Sequence, residues 1–183
     1  MPEYRRASIP GSRYFFTVVT YNREPLLTSS WARDCLDDAI RVVQGKIPFE
    51  VEAFVLLPDH LHSIWRLPEN DSDFSTRWNC IKGRFSRIYS TKVDTGDPAS
   101  SSRLKKREQS IWQRRFWEHW IRDEHDFARH LDYIHFNPVK HGYVHSPKEW
   151  DWSTFHRYVE KQWYDLDWGV CEPTDLLDSC VGE

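Results

Sequence analysis

The sequence predicts an α+β fold: a ferredoxin-like or RRM-like sandwich, an antiparallel sheet with helices on one face. Three observations carry this. Hydrophobic periodicity switches between two and 3.6 residues in the order β-α-β-β-α-β-α. The two middle strands are joined only across Pro58-Asp59, which reads as a hairpin. A chain of 183 residues with 39% apolar side chains is enough for one sizeable core.

Taken in order, "RYFFTVVTYN" (13–22) is aromatic and β-branched and stops at Asn, as a strand does. "SSWARDCLDDAIRVVQGK" (29–46) spaces Trp31, Cys35, Leu36, Ala39, Ile40 and Val43 as one face of a helix, with serine as its cap. "PFEVEAFVLL" (48–57) and "HLHSIWRL" (60–67) are the hairpin strands. "SDFSTRWNCIKGRFSRIYS" (72–90) is a second helix, with Phe74, Trp78, Ile81, Phe85 and Ile88 on one side and Arg77, Lys82, Arg84 and Arg87 off it. "DTGDPASSS" (94–102) is a loop by its turn formers. "IWQRRFWEHWI" (111–121) reads as a strand, with helix as the alternative. "DEHDFARHLDYIHF" (123–136) is the clearest helix: Asp123 caps it, Phe127, Leu131 and Ile134 make its apolar stripe, and Pro138 is expected to end it.

The net charge of −3 is uneven. Six acids and no Lys or Arg lie in 163–183, which leaves residues 1–162 at +3. We therefore expect a catalytic or binding domain over 1–162 and an acidic tail over 163–183. Cys35, Cys80, Cys171 and Cys180 form no C-x-x-C pair, the pattern of reduced thiols in a cytoplasmic protein. No stretch reads as a signal peptide or membrane span, so no membrane partner is expected.

His60 and His62 lie two apart on a strand, so their imidazoles project from one face, with Ile64 and Arg66 beyond them. Such a pair chelates a metal if a third ligand arrives from elsewhere; it also suits a half-exposed strand with histidines toward solvent. In the helix at 123–137, Asp126, His130, Tyr133 and Asn137 fall at i, i+4, i+7 and i+11 and make one polar stripe. Lys or Glu would solvate a helix face better than Tyr and Asn. Separately, Tyr133 also fits the edge of a core and Asn137 a C-terminal cap.

Together these segments resemble the single-tyrosine HUH transposases, within them the tyrosine transposases associated with repetitive extragenic palindromes (REP) in bacteria. "LLPDHLHSIWRLPEND" (56–71) is similar to the HUH segment of that family. "IWQRRFWEHWIRDEHDF" (111–127) and "LDYIHFNPVKHGYV" (131–144) are similar to the segments around its tyrosine helix, and "EYRR" and "WDWSTFHRYV" (150–159) also fit. The resemblance spans roughly residues 3–160. It implies that His60 and His62 are metal ligands, Asn137 the third ligand in place of the Gln found outside this branch, and Tyr133 the nucleophile. It further implies cleavage and rejoining of single-stranded hairpin DNA through a 5′-phosphotyrosine, with Mg²⁺ or Mn²⁺ as cofactor and a monomer favoured over a dimer. The His pair itself favours Mn²⁺ of the two. His130 is a candidate proton shuttle for Tyr133, against a simple pairing with Asp126.

Basic charge is concentrated between Phe74 and His130, where thirteen Lys/Arg face seven acids. Arg103, Lys105, Lys106 and Arg107, then Arg114 and Arg115 beside Trp112, combine charge for phosphates with rings for bases. Arg13 and Lys82 complete these candidate DNA contacts. Tyr4, Arg5 and Arg6 are too polar for a core, and the resemblance implies that they read a short single-stranded segment beside the hairpin. Replacing Arg5 and Arg6 with Ala is expected to weaken binding to hairpins carrying that segment; unchanged affinity in a gel-shift titration removes the arm from the site. Two rivals remain at this level: a metal-dependent nuclease in which Tyr133 is structural, and a non-catalytic nucleic-acid-binding domain.

Overall fold

The computed structural model describes residues 8–94 and 111–170. The chain runs β1 (Arg13–Val19), α1 (Ser30–Lys46), β2 (Glu50–Leu56), β3 (His60–Arg66), α2 (Phe74–Tyr89), β4 (Trp117–Ile121), α3 (Glu124–Lys140) and α4 (Phe155–Glu160). The strands form one sheet in the order β2-β3-β1-β4, with every neighbouring pair antiparallel. This is the ferredoxin-like arrangement the alternation predicts.

Alternation sorts the side chains of each strand onto two faces. Tyr14, Phe16 and Val18 of β1, with Leu61 and Trp65 of β3, meet α1 and α2 in the larger core. Trp65 stacks on Trp78 of α2 with centroids 4.2 Å apart. Caps fix where the helices begin: Ser29 accepts from the Ala32 amide, Asp73 from Thr76 and Asp123 from Asp126. Phe15, Ala53, Val55 and Ile64 point the other way, and there α3 lies across the sheet through Phe127, Leu131 and Ile134. That second face also carries His60 and His62.

Three expectations are corrected. The segment 111–121 is a strand only over Trp117–Ile121; Trp112 makes an isolated bridge to Thr20, because its ring turns into the larger core. Pro138 does not end α3, which continues to Lys140. It removes one amide from the ladder, but the stop is made later, where Gly142 turns left-handed (φ 70°) and the Tyr143 and Gly142 amides close onto Pro138 and Val139. Asn137 is thus an interior helix residue rather than a cap. The β2 edge is covered too: Leu56 and Thr154 amides bond to Trp152 and Phe54 carbonyls, so segment 152–154 extends the sheet. Beyond α4, Tyr164 donates to Asp132 on α3 at 2.6 Å.

On the far side of α3 His135 is fully buried, bonded through Nε2 to Thr154 Oγ1 at 2.9 Å. Burial, then the charge of Arg157, holds its pKa down to about 3. The unfolded chain protonates this imidazole near pH 6.5 while the folded one stays neutral, so stability falls as pH drops below about 6.5. The expected loss between pH 7 and 5 is about 2 kcal/mol from this residue. Urea melts at both pH values check it, with His135→Phe expected to flatten the slope; an equal slope in both proteins removes His135 as its source.

Candidate active site

The hairpin and β1 together aim the two imidazoles. In the sheet register His60 faces Val19 and His62 faces Thr17. His60 Nδ1 lies 2.6 Å from Asp59 Oδ1, and Arg23 holds the other Asp59 oxygen at 2.9 Å. Burial pushes the Asp59 pKa up, but the bonds and charges of His60 and Arg23 outweigh it and keep it at about 2. An ionised carboxylate only accepts, so His60 donates from Nδ1 and turns Nε2 away from Asp59. His62 Nδ1 lies 3.0 Å from Thr17 Oγ1, which likewise leaves Nε2 as its outward atom. The imidazole centroids are 5.0 Å apart.

The helix brings the remaining groups. Tyr133 packs edge-on against His62, centroids 5.2 Å apart, and His141 packs against His60 at 5.2 Å. Tyr133, Asn137 and His141 are spaced i, i+4 and i+8, so Asn137 lies between the two contacts, on the side of the helix facing the His pair. Its side chain is fully buried. Tyr133 is only 1% exposed, yet it is no ordinary core ring: one edge meets His62, and its hydroxyl meets Lys140 Nζ at 3.3 Å. Tyr133 thus touches His62, which in turn packs against His60.

A metal fits this place. His60 Nε2 is buried without a hydrogen-bond partner, which costs free energy unless something else satisfies it. The imidazoles of His60 and His62 and the amide of Asn137 are donor types that a divalent ion accepts, and Asp59 and Thr17 hold the two rings through Nδ1.

Among the described residues a second cluster can also coordinate a metal: His119, Asp126 and His130, with ligand atoms within 4.8 Å of one another. It lies on the same sheet face, separated from the first by Phe15, whose ring is 5.4 Å from His62 and 4.9 Å from His130. Here the polar atoms are already engaged. Asp126 accepts from His119 at 2.9 Å and from Arg122 Nε at 3.1 Å. Despite burial, these bonds keep its pKa at about 2. His130 donates Nδ1–H to the Asp126 carbonyl at 2.7 Å. Burial first, with His119 and Arg129 adding, lowers its pKa to about 4. Such an imidazole is a weak proton acceptor at neutral pH, which counts against His130 as the shuttle.

The expected DNA contacts divide. Tyr4, Arg5, Arg6, Arg103, Lys105, Lys106 and Arg107 lie outside the described residues. Arg114 and Arg115 are exposed. Arg13 pairs with Glu52 at 2.9 Å and Glu124 at 2.6 Å and lines a cavity of about 250 Å³ with Arg66 and Arg122. Two expectations are corrected. Lys82 is buried and donates to the Gln113 carbonyl at 2.6 Å, because the irregular run before β4 offers carbonyls that no strand satisfies. Trp112 is 5% exposed, packed on Phe85 at 4.9 Å, and offers no open ring face for a base.

Sequence reasoning passed over Asp59, Thr17, Arg23, Lys140 and His141. Asp59 had a signal in its adjacency to His60, and Lys140 one in its i+7 spacing from Tyr133. Thr17 and Arg23 had none, since only strand register and the left-handed backbone of Arg23 (φ 55°) bring them in.

The chain is similar to known proteins over most or all of its length. A family model described as "Transposase IS200 like" matches residues 8–137. The REP-associated tyrosine transposase of Escherichia coli (strain K12) is 44% identical over 184 residues, covering 100% of this chain and 98% of its own. A Haemophilus influenzae relative is 44% identical over 172 residues, covering 92% of this chain and 94% of its own. The solved structure of a REP-associated tyrosine transposase bound to a REP hairpin superposes with a TM-score of 0.80 at 42% identity, over 100% of this chain and 98% of that one.

Proposed function

Since the chain belongs to the IS200-like transposases, and within them to the REP-associated tyrosine transposases, we propose that it cleaves and rejoins single-stranded hairpin DNA of REP type, with Tyr133 as nucleophile. The observation that carries this is the edge contact of Tyr133 with His62 at 5.2 Å, in one chain. The solved relative bound to a REP hairpin supports the substrate class.

In this reading His60, His62 and Asn137 would hold the ion, Mn²⁺ or Mg²⁺. Bound there, such an ion would draw charge from a phosphate oxygen and steady the leaving 3′ oxygen. The chain's own groups do the rest. Asp59 and Thr17 keep the imidazoles turned toward the site. The Tyr133 oxygen releases its proton, bonds to phosphorus, and the bond to the 3′ oxygen breaks as that oxygen takes up a proton. The product is a 5′-phosphotyrosine and a free 3′ hydroxyl. The phosphotyrosine remains a diester, so a 3′ hydroxyl can reverse the step with no triphosphate. Water as nucleophile would forfeit that.

Because one chain supplies both the His pair and the tyrosine, a monomer suffices. Arg114, Arg115 and Arg13, with the N-terminal Tyr4, Arg5 and Arg6 and the cluster Arg103, Lys105, Lys106 and Arg107, contact the DNA. The domain over 1–162 carries the chemistry, and the segment just beyond that bound packs onto it through Tyr164 and Trp168. No described helix is long and apolar enough to cross a membrane, and a DNA substrate fits a cytoplasmic protein. The test is labelled hairpin DNA incubated with protein and Mn²⁺, then run on a denaturing gel. A covalent adduct supports the reading; cleavage without adduct favours the nuclease, and binding alone the non-catalytic domain.

A further inference from the structure

We propose that Lys140 is a further catalytic residue: its ammonium holds the Tyr133 oxygen and stabilises the negative charge that this oxygen carries when it attacks and when it leaves. The inference rests on the reading of Tyr133 as nucleophile.

Three observations place Lys140 there. Its Nζ is 3.3 Å from the Tyr133 hydroxyl and 4.7 Å from the centroid of the same ring. The cation therefore grips the phenol at its oxygen and over its face. The geometry depends on how α3 ends. Seven residues separate Tyr133 from Lys140, two helical turns, so both lie on one side only if the helix stays regular past Pro138. It does, to Lys140, and the Gly142 closure fixes that last turn. Finally, Tyr133 is buried while Lys140 is exposed, so the lysine stands between the phenol oxygen and solvent.

The chemistry needs a cation there. In the forward step the phenol proton goes to solvent and the oxygen bonds to phosphorus as the P–O3′ bond breaks. In the reverse step the same oxygen leaves with the electron pair of the P–O bond. A fixed ammonium within hydrogen-bond reach lowers the energy of charge on that oxygen in both directions. It does so without competing with His60, His62 and Asn137 for an ion. His130, by contrast, commits its Nδ1–H to the Asp126 carbonyl.

The experiment compares wild type, Lys140→Met, Lys140→Arg and Tyr133→Phe on hairpin DNA with Mn²⁺. Adduct formation is followed in single turnover at saturating protein, hairpin affinity without metal by fluorescence anisotropy, and folding by thermal melts. Lys140→Met keeps the aliphatic stem and removes the charge. It is expected to slow adduct formation about 100-fold, with affinity within about threefold and an unchanged melt. Lys140→Arg is expected to recover most of the rate, since it restores the cation. A wild-type rate in Lys140→Met overturns the proposal. So does a loss of affinity that matches the loss of rate, because Lys140 would then be a contact to the DNA backbone. A wild-type protein that forms no adduct overturns the reading of Tyr133 itself, an outcome distinct from both.

Discussion

Tyr133→Phe is expected to abolish the covalent adduct while leaving fold and hairpin affinity in place. The substitution removes one oxygen and no packing: the ring still meets His62 and Phe15, at 5.2 and 6.0 Å. The lost contact with Lys140 is worth about 1 kcal/mol of stability, small against a domain's total. The rate loss is of another order, at least about a thousandfold, because no other group takes over a nucleophile's bond to phosphorus. A denaturing gel of labelled hairpin DNA, with a thermal melt beside it, reads both effects. An adduct that survives in Tyr133→Phe would sink the assignment. It would direct attention to Tyr143, which is 44% exposed and stacks on His141.

The second large effect separates the two clusters on the sheet face. Removing His60 or His62 should lower Mn²⁺ affinity at least about a hundredfold, since in the proposed site each would supply one of three ligands. Adduct formation should fall with it. His119→Ala and His130→Ala should leave Mn²⁺ affinity within about threefold, because the Asp126 carboxylate there is already held by Arg122 and His119. Isothermal titration of each variant with Mn²⁺ decides the matter, and circular dichroism shows whether each variant is folded. The opposite pattern would move the ion to His119, Asp126 and His130. Chelation should stop the wild-type reaction, and added Mn²⁺ should restore it better than Mg²⁺ if the imidazoles bind the ion.

What was legible in the sequence follows from local rules. Alternation in "RYFFTVV" and "HLHSIWR" fixes the faces of β1 and β3, since a side chain on a strand has only two directions to take. The serine cap of α1 and Asp123 announce their helices, and the i, i+4, i+7, i+11 spacing puts Tyr133 and Asn137 on one stripe. His60, His62, Tyr133 and Asn137 were singled out this way, and the resemblance gave them their expected roles. The Pro138 signal misled because a proline costs one amide and a local clash, and the final turn of α3 is held by Gly142 and its carbonyl partners instead. Lys82 and Trp112 misled because a basic or aromatic residue outside the main apolar stripe is not thereby exposed.

By itself, then, the sequence determined the order of elements, the shared face of the two histidines and the stripe that carries the tyrosine. Tertiary structure alone decided that α3 crosses the face bearing those histidines, that Thr17 and Arg23 support them, and that Lys140 reaches the phenol oxygen. The division has a physical cause. Periodicity is a property of neighbouring residues, whereas strand register and the docking of a helix are set by contacts between residues as far apart as Arg13 and Ile121, which no local spacing encodes.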